Sequence, residues 1–109
     1  MEFQKLDKFA ALLPEYIVGT RCEDHPHTGH TEQIRWGFPN NYGASVVCHN
    51  SSYGGAPEFV VLHDGRVWAA SPVTAGVIPY ITVSDAALYL ARLRALRPML
   101  VEESPSDDD

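Results

Sequence analysis

The chain has 109 residues, enough for one domain with a real hydrophobic core, and its 45% hydrophobic and 20% charged content is that of a folded globular protein, not a disordered one. Most of the net charge of −6 gathers after Val101, where Glu102, Glu103, Asp107, Asp108 and Asp109 stand without a base and leave the body near neutrality. The single basic cluster, Arg92, Arg94 and Arg97, argues against nucleic acid as a partner, and acids gathered on one end do not make the charged surface of a DNA mimic.

No N-terminal apolar run resembles a signal peptide and no segment is long enough to span a bilayer, so the expectation is a cytoplasmic protein with Cys22 and Cys48 reduced and no membrane contact. Phe3, Leu6, Phe9, Ala10 and Leu13 recur at helical spacing, which predicts an amphipathic N-terminal helix ended by Pro14. Tyr16 to Thr20 reads as a short extended segment. After it comes CEDHPHTGH, residues 22–30, read as a polar loop.

From Gln33 the period changes to two: Ile34, Trp36 and Phe38 alternate with Arg35 and Gly37, which predicts a strand with Trp36 in the core. Pro39-Asn40-Asn41-Tyr42-Gly43 then reads as a hairpin turn, with a return strand from Ala44 to His49 that puts Ala44, Val46 and Cys48 on one face. Asn50 to Pro57 is a loop centred on Tyr53-Gly54-Gly55. Glu58 to Leu62, the turn His63-Asp64-Gly65 and Arg66 to Ala70 form a second hairpin, and Val77, Ile78, Tyr80 and Ile81 are expected to cover the core edge. Thr82-Val83-Ser84-Asp85 resembles a capping box with Thr82 as N-cap. The helix after it carries Ala86, Tyr89, Leu90, Leu93 and Leu96 on one stripe and stops at Pro98. The expected fold is α+β: a small antiparallel sheet of about four strands in two hairpins, with N-terminal and C-terminal helices packed on it. Residues 1–101 form one domain and 102–109 an acidic flexible tail.

The run Phe38-Pro39-Asn40-Asn41-Tyr42-Gly43-Ala44-Ser45-Val46-Val47 resembles a motif of small uncharacterised proteins from actinobacteria and their phages. In those proteins a Tyr-Gly-Gly loop, an apolar strand, an Asp-Gly turn and a Thr-x-x-Asp-capped helix follow, matched here by Tyr53-Gly54-Gly55, Phe59 to Leu62, Asp64-Gly65, and Thr82 with Asp85. The likeness spans about residues 33–97 and departs at Asn41, where the family usually has glycine; asparagine also accepts a left-handed backbone. The resemblance implies an accessory or host-directed role and no assigned activity.

Two constellations carry chemistry. Cys22, His25, His27 and His30 offer thiolate and imidazole ligands for zinc, but the spacing matches no established zinc pattern and Pro26 stiffens the loop, so solvated histidines are the simpler reading. Cys48 with His49 or His63, and Ser51 or Ser52 with His63 and Asp64, supply nucleophile and base types. Yet adjacent strand residues point apart and no Gly-x-Ser-x-Gly elbow occurs, so no catalytic residue and no cofactor is expected. Tyr42 and Tyr53 fall on loop tips beside Asn40 and Asn41, where exposed aromatics can anchor a partner. The sequence thus predicts a non-catalytic protein-binding accessory domain of phage or prophage type. A zinc protein and a self-associating structural component are the alternatives.

Overall fold

The computed structural model describes residues 3, 5–26, 29–49, 56–68, 71, 73 and 76–97. The acidic tail and the Tyr53 loop lie outside these residues, as does the expected strand end at Ala69-Ala70. The architecture is an antiparallel sheet with one helix, α+β but mostly sheet.

The strands are β1 (Ile17–His25), β2 (Gly29–Gly37), β3 (Tyr42–His49), β4 (Glu58–His63), β5 (Arg66–Val67) and β6 (Ile78–Pro79), followed by α1 (Val83–Ala95). The sheet runs β1-β2-β3-β4-β5 in sequence order, and β6 pairs with the other end of the same β4 edge. Both expected hairpins form. Asn41 takes φ 71° in the first turn, and Asp64 and Gly65 take φ 53° and 79° in the second.

The sheet exceeds the expected four strands because the histidine-rich stretch is not a loop. β1 and β2 pair in register from Thr20↔Ile34 to His25↔Gly29, so Cys22, Asp24, His30 and Glu32 all lie on strands. The polar side chains hid this: two strands whose exposed positions are charged give no apolar alternation to read. A bulge at Val18, between the pairs Ile17↔Trp36 and Gly19↔Arg35, completes the departure from simple alternation.

The N-terminal helix is a second correction. Two single 3-10 turns, Phe9–Ala11 and Pro14–Tyr16, stand in its place. Leu13 adopts a left-handed φ of 42°, which breaks any helix before Pro14, and the Lys5 and Leu6 N–H groups are held by the Glu32 carboxylate. The apolar residues that suggested the helix are still used, since Leu6 and Phe9 are buried in the core. Long-range contacts have overridden a local preference.

One face of the sheet carries the core. Ile34, Val46 and Phe59 align across β2, β3 and β4, as do Trp36, Ala44 and Val61 one step along. Ala86, Leu90 and Leu93 of α1 pack on this row, and the Trp36 indole N–H donates to the Leu12 carbonyl at 2.8 Å. Thr82 caps α1 as expected, its hydroxyl accepting from the Asp85 N–H at 3.1 Å. Of the segment expected to cover the core edge, Ile81 is buried and Ile78 half-buried, while Val77 and Tyr80 face solvent.

Gly43 is required where it stands. A Cβ there would sit 2.1 Å from the Trp36 carbonyl oxygen, so the β2 and β3 backbones approach too closely for any side chain. No described helix is long and apolar enough to cross a membrane.

Candidate functional site

The side chains with most chemistry meet at the β1–β2 pair. Cys22 pairs with Glu32 and Asp24 with His30, so antiparallel register puts all four on one face in two adjacent rows. Their polar atoms converge. His30 Nδ1 lies 2.7 Å from Asp24 Oδ1, His30 Nε2 lies 2.6 Å from Glu32 Oε2, and Cys22 Sγ lies 3.9 Å from His30 Nε2.

Glu32 is fully buried, and its other oxygen, Oε1, accepts from the Lys5 and Leu6 backbone N–H groups at 2.9 Å each. A buried carboxylate without such partners would be strongly destabilising; here it fastens the N-terminal segment to the sheet. The hydrogen bond from Asp24, then that from Glu32, raises the His30 pKa above its ordinary value, which favours an imidazolium donating an N–H to each acid.

Both thiols are held protonated. Burial, followed by the negative charge of Glu32 and Asp24, pushes the Cys22 thiol up. Burial also pushes Cys48 up, against a smaller opposing pull from Lys5. Neither has the lowered pKa of a reactive cysteine. Cys48 pairs with Glu32 from the far side, so the row runs Cys22, Glu32, Cys48 and the cysteines stand two strand spacings apart. At about 10 Å between their backbones no disulfide can join them.

The expected zinc residues are only partly brought together. Cys22 and His30 meet, whereas the side chain of His25 and all of His27 lie outside the described residues. Glu32 completes the group of donors, and nothing in the sequence reading named it. The signal was there: Cys22 and Asp24 alternate before Pro26, and His30 and Glu32 alternate after Gly29, which is the pattern of a hairpin with four polar residues on one face.

The expected partner-binding residues divide differently. Tyr42 is not at a loop tip: it begins β3, is 5% exposed, and stacks on Trp68 at 5.2 Å and against His63 at 5.0 Å. Asn40 is also buried. Its Nδ2 lies 2.9, 3.3 and 2.8 Å from the Leu93, Arg94 and Leu96 carbonyls, and its Oδ1 accepts from the Tyr42 N–H. Asn41 is exposed, and Tyr53 lies outside the described residues. Proximity to turn residues made the first two look external; the end of α1 holds Asn40 inside, and Trp68 and His63 pack on Tyr42.

The exposed surface lies elsewhere. On the face of the sheet away from α1, Arg35, Ser45 and Val60 align across three strands, with Arg35 exposed, Val60 half-buried and Ser45 buried between them. Val18 and Val67 are 67% and 63% exposed there, and Val67 lines a shallow concavity of about 470 Å³. Arg21 donates to Gln33 and Gln33 to Ser45, both at 3.0 Å, which fixes a polar ladder across the same face. No family model matches the chain, and no curated protein or solved structure matches it either.

Proposed function

We propose that this chain is a non-catalytic binding domain whose partner is a protein, engaged through the open face of the sheet. The observation that carries the reading is the mixture on that face: Val18 and Val67 are largely exposed, Val47 and Val60 are half-buried, and the exposed Arg35 lines one concavity with Val47, Val60 and Val67. Apolar area supplies affinity and an arginine supplies orientation, the mix that enriches protein interfaces. A nearly neutral body does not provide the basic field that a nucleic acid requires. Tyr42 and Asn40 then serve the fold behind the interface, and Asn41 lies at the rim. Likeness to actinobacterial and phage proteins supports an accessory role of phage or prophage type, a modulator of a host or phage protein.

The test is affinity capture from an actinobacterial lysate with wild type and an Arg35→Glu, Val67→Glu double variant, both checked for folding by circular dichroism. One protein enriched by wild type and lost with the variant supports the reading. Enrichment that the variant retains, or no enrichment at all, overturns it. Solution mass measured in parallel covers self-association: a wild-type dimer that the variant dissociates puts a second copy in the partner's place.

A further inference from the structure

We propose that Cys22, His30 and Glu32 form a zinc site, with Asp24 orienting the histidine. Three donors of different type converge here: Cys22 Sγ, His30 Nε2 and Glu32 Oε2 all lie within 4.8 Å of one another. Tetrahedral zinc with N, O and S ligands at 2.0–2.3 Å holds its donors about 3.3–3.7 Å apart. The Sγ–Nε2 separation of 3.9 Å is close to that already. The Nε2–Oε2 separation of 2.6 Å spans a shared proton and opens by under about 1 Å when an ion takes its place.

The surroundings strengthen the case beyond the three donors. A ligating histidine characteristically donates its other ring N–H to a carboxylate, which fixes ring and tautomer, and Asp24 occupies that position on His30 Nδ1 at 2.7 Å. Glu32 is held in the same manner: two backbone N–H groups fix Oε1 and leave Oε2 directed at the histidine. The ligands thus stand on two paired strands, supported from behind, and not on a floppy loop. Thiolate, imidazole and carboxylate together suit zinc better than magnesium or calcium. Cys22 and His30 are only partly buried beside the buried Glu32, so water can complete the coordination.

Binding is a proton exchange. The ion displaces one proton from the Cys22 thiol and one from His30 Nε2, while Glu32 contributes its charge without losing a proton. The donor set differs from the one the histidine-rich spacing suggests, since neither His25 nor His27 is required.

The experiment is calorimetric titration of zinc chloride into tag-free protein stripped with chelator, with cobalt(II) absorption as a second readout. The expected result is one zinc per chain, with a thiolate-to-cobalt charge-transfer band that vanishes in Cys22→Ser. Asp24→Asn is expected to weaken binding roughly tenfold or more, and His25→Ala with His27→Ala to leave it unchanged. Cys22→Ser and Asp24→Asn preserve size and leave the buried Glu32 contacts to Lys5 and Leu6 intact, so each is expected to fold. Absence of stoichiometric binding overturns the site, as does binding lost in the His25, His27 variant and kept in Cys22→Ser.

Discussion

Asn40 lies in the β2–β3 turn, yet its side chain serves the far end of α1. The last carbonyls of a helix have no partner within it, and here one buried amide nitrogen meets three of them while its oxygen holds the Tyr42 N–H. Asn40→Ala therefore strips the cap and leaves buried acceptors unpaired, a loss of about 2–4 kcal/mol that urea denaturation would register as a lower midpoint. Asn40→Asp is expected to be no better, because a carboxylate would face the negative end of the helix dipole. Glu32 works on the same logic as an acceptor: it is buried only because two backbone donors and the His30 ring surround its oxygens. Residue type alone revealed neither role. An asparagine in a turn and a glutamate in a polar stretch are ordinary until the long-range partners are known.

At the level of elements, β1–β2 and β2–β3 differ in how they are held. The β1–β2 hairpin is long, largely polar and paired to its tip. The β2–β3 hairpin is closed by Asn41 and pinched where Gly43 lies against the Trp36 carbonyl. Gly43→Ala is predicted to force those backbones apart and cost about 2 kcal/mol or more, read as a lower Tm with the far-ultraviolet spectrum largely retained. An unchanged Tm would mean that the pinch relaxes freely. β1 is also the exposed edge of the sheet. Its bulge at Val18 and its charged residues Arg21, Glu23 and Asp24 are devices that discourage edge-to-edge pairing, so the open face, more than this edge, is the surface left for association.

For the molecule as a whole, residues 5–16 are part of the fold and not padding. Leu6 and Phe9 are buried in the core, the Leu12 carbonyl accepts from Trp36, and the Lys5 and Leu6 amides satisfy Glu32. Burial of Leu6 and Phe9 alone is worth roughly 3–6 kcal/mol, comparable with the lower end of a small domain's total stability. A chain beginning at Ile17 is therefore expected to lose cooperative unfolding in thermal denaturation followed by near-ultraviolet circular dichroism. Retention of a sharp transition would show that the sheet and α1 suffice. Local pattern in the sequence determined the two central hairpins, the C-terminal helix with its Thr82 cap, and the core alternation at Ile34, Trp36, Val46 and Cys48. These depend on turn chemistry and apolar period, which act between near neighbours. Tertiary structure alone decided that residues 5–13 would not be a helix and that Tyr42 and Asn40 would be buried, and strand register turned the polar alternation around Pro26 and Gly29 into the convergence of Cys22, His30 and Glu32. Each of those outcomes rests on a contact between residues distant in the chain, or on strand register, where a shift of one position turns every side chain to the other face.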